Sequence, residues 1–518
     1  MDVLENLIKE LIRSEVKTPE DLAKAKRKLA KSYRVSCPDN MSLLKKYHEL
    51  AKKKKVKKYL RLEILLRTRP VRSLSGIVNI SLLTRPYPCP GKCLYCPQEK
   101  GIPKSYLSGE PAVERAKKLK YNPFLQVKRR IEMLEAEGHP ADKIELRIVG
   151  GTWSYYPKSY QNWFIKRCFE ACNQRKSKDL ADAQKQNEKA KYRIIGLSVE
   201  TRPDFVDPEE IRRLRKFGTT MVELGIQSTY DDVLEINLRG HKVKETVLAT
   251  RLLKDAGFKV LYQMMPNLPG SSLKRDEKMF EELFSSSDFQ PDLLKIYPCA
   301  LIKSSPLFKK WQQGKYKPYA KNQLINLLKR IKKKIPYYIR IQRISRDIPS
   351  SLVIAGPAKI SNLRQIIALD QKKEGWSCHC IRCREVKEKY DPKEKLFLYR
   401  QNYKASRGQE IFLSFEDKKR SKLYSLLRLR LTSENRAVVR ELHTYGQLLP
   451  VGERMSSTAS PQHKGLGRKL IKTAEKITKK EFGLKEIAVI SGIGARNYFK
   501  QLGYRLKDTY MVKPLNRS

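Results

Sequence analysis

Short apolar runs alternate with helical patterns along residues 76–349. Six runs have the length and composition of buried strands: residues 76–82, 144–149, 192–199, 221–226, 259–264 and 293–297. Between them, apolar residues recur at helical spacing in segments such as 124–137, 209–217 and 243–256. Strands that alternate with helices predict an α/β fold with a parallel sheet. Six strands suit a partial (βα)6 barrel better than a closed eightfold one.

The pattern differs on either side of this barrel. Residues 1–75 are basic and helical, as VLENLIKELI shows, and residues 350–395 form a cysteine-bearing connector. Residues 396–518 predict a separate α+β domain, with strands at 396–398, 410–415, 423–431 and 438–445, a helix at 465–482, a strand at 486–491, another helix and a last strand. A polar insert, residues 173–191, is expected to be a surface loop or an extended helix.

Length and composition agree with several folded domains. The chain has 518 residues, 40% of them hydrophobic, which favours a globular protein with more than one core. It shows no run of about 18 uncharged apolar residues, and its start lacks a secretory pattern. We therefore expect a cytoplasmic protein that does not span a membrane, with its ten cysteines reduced or bound to metal.

Charge adds a polyanionic partner to this expectation. Lysine and arginine total 109 against 55 acidic residues, a formal net charge of +54. Residues 52–72 hold ten basic residues and one acidic residue, and residues 309–346 hold thirteen and none. Four tyrosines accompany the second stretch, at positions 316, 319, 337 and 338. This mixture suits phosphates and stacked single-stranded bases, although a solvated helix face would give the same pattern.

The first candidate for chemistry is a cysteine loop. Cys89, Cys93 and Cys96 form a C-x3-C-x2-C pattern directly after the first predicted strand. Three thiolates can bind three irons of a [4Fe–4S] cluster and leave the fourth iron open for S-adenosylmethionine. A zinc site with a fourth ligand is the alternative. The βα pattern that follows favours the radical cluster.

Polar residues at the ends of later strands support this interpretation, because barrel sites are built there. Gly150 and Gly151, followed by Thr152, could bring bare backbone close to the methionyl amino group. Glu200 and Gln227 end the next two strands. Each residue alone is more often structural, so their repetition at successive strand ends carries the prediction of S-adenosylmethionine binding.

A second centre is predicted in the last domain. Residues 462–467 fit Q-x-x-G-x-G at the start of a helix, where backbone N–H groups suit a pyrophosphate. A strand lies upstream, and the aromatic pair Tyr498 and Phe499 lies in a later helix. This order is similar to a GNAT-type acetyltransferase domain that binds acetyl-CoA.

The pairing of these two centres resembles one family, that of the catalytic subunit of Elongator, and within it the stand-alone prokaryotic members. The resemblance rests on collinear segments that include RPYPCPGKCLYCP, VGGTW, VETRPD, ELGIQS, YQMMPNLPG, AVVRELHTYG, QHKGLGRKLI and IAVISGIGARNYF. It implies a tRNA wobble-uridine acetyltransferase. In that reaction hydrogen is removed from the acetyl methyl group of acetyl-CoA, the methyl carbon joins C5 of the uridine, and thioester hydrolysis leaves 5-carboxymethyluridine.

The resemblance also implies partners and site residues. The partners are tRNA, at its anticodon stem-loop, acetyl-CoA and an electron donor; a monomer and a homodimer are both compatible with the sequence. Lys143 and Tyr498 are the implied catalytic residues. The implied acetyl-CoA contacts are Lys143, Glu441, Leu442, His443, Thr444, Leu466, Gly467, Arg468 and Phe499. Phe499 stands where the family usually has a tyrosine.

The connector contains a second cysteine triad, Cys378, Cys380 and Cys383, at metal-ligand spacing. The resemblance implies a structural Zn²⁺ here, and a closed tetrahedral site needs four ligands. Cys299 is our choice for the fourth ligand and His379 the second choice, because adjacent ligands such as Cys378 and His379 are geometrically awkward. Free thiols are the alternative.

Two other functions remain open at this point. A protein lysine acetyltransferase would explain the last domain but would leave the first cysteine loop without a role. A tRNA-binding scaffold without catalysis would explain the charge but not the intact triad at Cys89.

Overall fold

The computed structural model describes residues 2–57, 59–387, 390–446, 448, 461, 462 and 464–515. The first four helices are α1 (Val3–Arg13), α2 (Pro19–Ser32), α3 (Asn40–Lys52) and α4 (Leu60–Leu66). Asp2, Thr18 and Asp39 cap the first three by accepting backbone N–H groups. These helices pack around a core of their own that includes Leu7, Leu11, Leu43 and Tyr47. Among the described residues, no helix combines the length and apolar content that a membrane crossing needs.

A curled parallel sheet of seven strands follows. Its strands are β1 (Val78–Leu83), β2 (Lys143–Val149), β3 (Arg193–Thr201), β4 (Met221–Gln227), β5 (Lys259–Met264), β6 (Leu293–Ile296) and β7 (Arg340–Arg343). They pair in chain order, so β1 and β7 are the edges of a partial barrel. The register is fixed by pairs such as Val78↔Ile144 and Leu293↔Arg340. The predicted partial barrel is confirmed, with one strand more than the six expected.

Helices connect these strands. They are α5 (Pro111–Lys118), α6 (Pro123–Ala136), α7 (Lys158–Asn173), α8 (Leu180–Asn187), α9 (Pro208–Lys216), α10 (Asp231–Ile236), α11 (Val243–Asp255), α12 (Leu273–Ser285), α13 (Leu307–Gln312) and α14 (Lys321–Lys334). Two more helices, α15 (Leu363–Lys373) and α16 (Ile381–Arg384), follow β7. The insert expected at 173–191 contains α8, in which Ala183 and Asn187 are buried. Asn187 donates to the carbonyl of Tyr192 (3.0 Å), so this segment is docked on the sheet rather than held in solvent.

The second sheet is mixed. Its strands are β8 (Phe397–Ala405), β9 (Gly408–Glu416), β10 (Leu423–Leu431), β11 (Ala437–Thr444), β12 (Glu486–Val489), β13 (Arg505–Lys507) and β14 (Tyr510–Pro514), with helices α17 (Leu466–Lys480) and α18 (Arg496–Lys500). The spatial order is β13-β14-β12-β11-β10-β9-β8, and only β11 and β12 pair in parallel. This agrees with the predicted α+β architecture.

Buried ion pairs join the two sheets. Arg440 of β11 donates to Asp292, before β6, at 2.6 Å and to Glu410 of β9 at 2.9 Å. All three side chains are excluded from solvent. Breaking such a pair would leave an uncompensated buried charge, so the two sheets are held in one fixed arrangement.

Candidate functional site

The first cysteine triad lies on a loop that leaves the carboxyl end of β1. Cys93 and Cys96 are buried, and Cys89 is half-buried. The loop is anchored through Leu94, whose N–H donates to the Asn237 carbonyl (3.1 Å) and whose carbonyl accepts from Leu307 (2.8 Å). The triad therefore faces the carboxyl ends of the strands, as predicted.

Two buried arginines lie against this loop. Arg239 places Nη1 at 3.6 Å from the Cys93 sulfur. Burial alone would raise the pKa of Cys93, but Arg239 outweighs it and the pKa is lowered. A Cβ atom at Gly91 would lie 2.7 Å from Nη1 of Arg202, so glycine is needed for the loop to pass this guanidinium.

The donors around the triad fit an anionic iron–sulfur cluster. Nη1 of Arg202 and Nε of Arg239 are buried and have no hydrogen-bond partner among the described residues. The three sulfurs do not converge within 4.8 Å, as the ligands of a single ion would. Three separated thiols beside two guanidinium groups that each keep one buried donor nitrogen without a partner among the described residues suit a [4Fe–4S] cluster, which carries negative charge when thiolates bind it.

The residues predicted for S-adenosylmethionine lie beside the triad. The Thr152 hydroxyl is 3.9 Å from the Cys89 sulfur. Gly150 and Gly151 precede it with φ values of 134° and 108°, which favour glycine. A Cβ atom at Gly150 would lie 2.0 Å from the Thr84 hydroxyl. The turn therefore depends on Gly150.

Glu200 and Gln227 line a cavity inside the barrel. Glu200 accepts from the Tyr106 hydroxyl at 3.1 Å and is also bonded to Gln263. Lys295 lines the same cavity and pairs with Glu223. Sequence reasoning missed Gln263, Lys295 and Arg239. For Gln263 and Lys295 a signal existed, because each is a polar residue in an otherwise apolar strand.

All ten residues predicted for catalysis or acetyl-CoA binding in the second centre line one cavity. It has a volume of about 610 Å³ and lies between the amino ends of the barrel strands and the second sheet. The barrel contributes Lys143, and the second sheet and its helices contribute Glu441, Leu442, His443, Thr444, Leu466, Gly467, Arg468, Tyr498 and Phe499. A cavity of this size is within the range of small-molecule sites.

Close packing shapes the floor of this cavity. A Cβ atom at Gly467 would lie 3.0 Å from the Tyr498 hydroxyl and 3.6 Å from Leu442. Gly465 has a φ of 79° and directly precedes α17, whose first backbone N–H groups have no partner within the helix. This helix start can bind an anion, as the glycine motif predicted.

Three polar side chains around the cavity already have partners. Lys143 donates to Gln462 at 3.1 Å, and burial lowers its pKa. Glu441 is bonded to Arg428 at 2.8 Å; burial opposes ionisation, but Lys259 and Arg428 lower its pKa to about 2. His443 is 2.7 Å from the Ser75 carbonyl, and burial lowers its pKa. Glu441 is therefore an ion-paired carboxylate, and His443 is a neutral histidine that bridges to the barrel.

The second cysteine triad is compact. The sulfurs of Cys378, Cys380 and Cys383 lie within 4.8 Å of one another. Lys332 is 3.4 Å from the Cys383 sulfur, which offsets the charge that three thiolates would bring together. This arrangement suits one metal ion with three sulfur ligands.

The choice of Cys299 as the fourth ligand is wrong in this structure. Cys299 follows the carboxyl end of β6 and packs with Leu301, Leu307 and Tyr316, and burial raises its pKa to about 12. The cysteine group lies beside the amino end of β7, where Ile381 donates to the Ile339 carbonyl (3.0 Å). The two places are at opposite ends of a parallel sheet. The second choice, His379, stacks on Tyr337 with ring centroids 4.3 Å apart.

The stretch 309–346 offers less stacking surface than its four tyrosines predicted, because two of them are buried. Tyr316 and Tyr338 are buried, and the Tyr319 hydroxyl donates to Asp276 at 2.7 Å. Part of its charge is also neutralised, since Lys329 pairs with Glu374 and Arg330 with Glu277. The interpretation of Tyr316 and Tyr338 as base-stacking residues is therefore wrong, because both are buried.

Comparisons with known proteins agree with this arrangement. The radical SAM superfamily pattern matches residues 87–283, and the Radical_SAM C-terminal domain matches residues 291–374. A Methanocaldococcus infernus protein named tRNA uridine(34) acetyltransferase is 42% identical over 99% of this chain and 98% of its own length. Human Elongator complex protein 3 is 38% identical over 87% of this chain and 86% of its own.

A solved structure gives the same result. The archaeal Methanocaldococcus infernus Elp3 with an N-terminal deletion (1–46) aligns with a TM-score of 0.75 and 42% identity, covering 85% of this chain and 100% of that chain. Identity and coverage of this extent place the chain in one family. The chain belongs to the radical SAM family of Elongator complex protein 3.

Proposed function

We propose that this protein is a tRNA uridine(34) acetyltransferase that carboxymethylates the wobble uridine. One observation carries the proposal: the barrel strands run between two chambers, the cavity between the sheets at their amino ends and the cysteine triad with the cavity inside the barrel at their carboxyl ends. Strand β2 begins with Lys143 at the cavity between the sheets and ends beside Gly150 near the cysteine triad. At about 3.3 Å per residue this distance is roughly 20 Å. The same parallel sheet thus positions the site for an acetyl donor at one end of its strands and the site for a radical source at the other.

In this proposal Cys89, Cys93 and Cys96 hold the [4Fe–4S] cluster. Thr152, Gly150 and Gly151 lie where they can contact the methionyl group of S-adenosylmethionine, with Glu200 and Gln227 further into the barrel. The cluster with S-adenosylmethionine, when bound, supplies the one-electron chemistry that removes hydrogen from carbon. The buried arginines, Arg202 and Arg239, would balance its charge.

The second chamber would hold acetyl-CoA. The start of α17, with Leu466, Gly467 and Arg468, would bind the pyrophosphate, and Leu442 and Phe499 would pack against the pantetheine arm. Lys143 and Tyr498 would orient the thioester. Glu441 would support the wall rather than act as a base, because, against the effect of burial, Lys259 and Arg428 lower its pKa to about 2 and so make it a poor proton acceptor.

The remaining parts of the proposal concern domains and metal. The basic helices of residues 1–75 would contact tRNA through its anticodon stem-loop, and an external electron donor would reduce the cluster. The barrel would extend over residues 76–349 and the GNAT domain over 396–518. Within residues 350–395, Cys378, Cys380 and Cys383 would bind Zn²⁺.

Anaerobically reconstituted protein tests this function with tRNA, reductant, S-adenosylmethionine and acetyl-CoA labelled in its methyl carbon. We expect label in 5-carboxymethyluridine at position 34, and none with C93A. C37A is a matched control, because Cys37 is an exposed free thiol that belongs to neither cysteine triad. Label found only on protein lysines would overturn the proposal and favour a protein acetyltransferase.

A further inference from the structure

A further pocket lies at the free edge of β1, outside the cavity inside the barrel and the cavity between the sheets. Its volume is about 500 Å³. Its lining includes four basic residues and one acidic residue of α5 and α6, together with Gln126 and Ser81; the charged residues are Arg115, Lys118, Arg129, Arg130 and Glu132. Ser81 also lines the cavity inside the barrel, so the two cavities adjoin at β1.

The sheet edge beside this pocket is only partly covered. The Gln126 side chain donates to the Leu83 carbonyl and accepts from the Leu83 N–H, both at 3.0 Å. It thereby replaces a neighbouring strand at that residue. Two residues earlier, Ser81 lines the pocket instead. The pocket therefore lies against a part of the β1 edge that Gln126 does not cover.

Of the pocket's three arginines, Arg129 pairs with Glu132 (3.1 Å), which also lines the pocket, whereas Arg115 and Arg130 have no such ion pair among the described residues. Among the described residues, Arg115 makes no hydrogen bond and no ion pair. Arg130 contacts only the Met133 sulfur (3.1 Å) through Nη1, while its buried Nε has no partner. Burial, and then the charges of Arg115 and Arg72, lower the pKa of Arg130 to about 10. Cations held together in this way are unfavourable unless an anion completes the site.

The neighbouring carboxylates do not complete it. Glu137 is bonded to Arg72, and Asp347, which follows β7, is 2.5 Å from Arg343. The two arginines therefore retain their hydrogen-bond donors. Guanidinium groups match phosphate oxygens, to which they can donate two parallel hydrogen bonds.

We propose that Arg115 and Arg130 form a binding site for one backbone phosphate of the RNA, next to the uridine that enters the barrel beside β1. This inference rests on the proposed function, because the RNA substrate comes from it. The position favours RNA over the phosphates of acetyl-CoA, since the pocket borders the barrel cavity and shares no residue with the cavity between the sheets.

A phosphate scan tests the site. An anticodon stem-loop is prepared with a single neutral methylphosphonate at each loop linkage in turn, and its affinity is measured for the wild type, R115Q and R130Q. Lys117 and Lys128 are exposed residues on the same two helices and do not line the pocket. K117Q and K128Q therefore control for the loss of one positive charge.

In the wild type, one linkage should lose affinity on the order of tenfold when neutralised, as expected for a charge-assisted hydrogen bond. R115Q and R130Q should bind the native RNA about tenfold more weakly, and that linkage should then have no further effect. Each should also reduce the slope of log K against log salt by about 0.7. K117Q and K128Q should retain the sensitive linkage.

The proposal fails if the same linkage remains sensitive in R115Q and R130Q, or if no linkage is sensitive in the wild type. Thermal melting separates binding from folding: a neutral residue relieves repulsion, so both variants should melt at or above the wild-type temperature, whereas a merely structural role predicts a lower one. If wild-type protein modifies tRNA but the scan is flat, only this site is wrong. If wild-type protein binds the stem-loop yet never modifies it, the proposed function fails while the scan still reports on the site.

Discussion

The two cysteine triads of this protein differ in spacing and in surroundings. Around Cys93 the sulfurs are spread along a loop, beside two buried arginines that each keep one donor nitrogen without a partner among the described residues. Around Cys380 the sulfurs lie within 4.8 Å, beside Lys332. The first arrangement suits a multi-iron cluster that leaves room for a substrate, and the second suits one ion that closes a connector. The same side chain would thus serve two kinds of chemistry, decided by the separation of the sulfurs and by the local charge.

The largest expected effect comes from breaking the first triad. C93A should abolish cluster assembly and with it all cleavage of S-adenosylmethionine, because two thiolates do not hold the cluster in the open form. The fold should persist, and the second triad should keep its metal. Iron and sulfide content, together with production of 5′-deoxyadenosine, measure this. A C93A protein that still cleaves S-adenosylmethionine would show that the triad is misassigned.

Breaking the second triad should give the opposite pattern. C380A should lose bound zinc and destabilise the protein by about 3 kcal/mol or more, since metal binding contributes folding energy. The first cluster should still assemble. Metal analysis and chemical denaturation measure the two effects. If C380A retains zinc and unfolds like the wild type, the compact group is not a metal site.

Lys332 refines the account of the second triad. Its ammonium group is 3.4 Å from the Cys383 sulfur, so it stabilises neighbouring thiolates. K332M should lower zinc affinity by roughly tenfold, as loss of a supporting contact to a metal ligand commonly does. Competition with a chromogenic chelator measures this. K333M is the matched control on the same helix, and equal affinities in both variants would contradict the role of Lys332.

Arg239 provides the smaller, corresponding change at the first triad. R239Q should leave the cluster bound but shift its reduction potential to more negative values, because a positive charge near the sulfur favours the reduced form. Redox titration followed by EPR spectroscopy measures the shift. An unchanged potential with intact iron content would mean that Arg239 only supports the loop.

The sequence was informative where a pattern is local. Apolar runs identified six barrel strands, but β7 was missed because its four residues, RIQR, carry two arginines and resemble the basic stretch around them. The residues predicted to contact acetyl-CoA line one cavity, and the family motifs that predicted them carry them together.

Long-range geometry was harder to predict. Cys299 was paired with the wrong group because sequence spacing does not show at which end of a parallel sheet a residue lies. Tyr316 and Tyr338 were misread because a tyrosine has both an apolar ring and a polar hydroxyl, and only packing decides which is used. The unpaired arginines of α5 and α6 could not be separated from other surface charges before their burial was known.

The most direct test of the central claim follows hydrogen from acetyl-CoA. Reaction of the reconstituted protein with tRNA and acetyl-CoA deuterated in its methyl group should transfer one deuterium into 5′-deoxyadenosine, and the 5-carboxymethyl group of uridine 34 should retain the other two. Mass spectrometry of both products measures this. Deuterium absent from 5′-deoxyadenosine, with label acquired by uridine 34, would contradict the account, because the two chambers would then not act in one reaction.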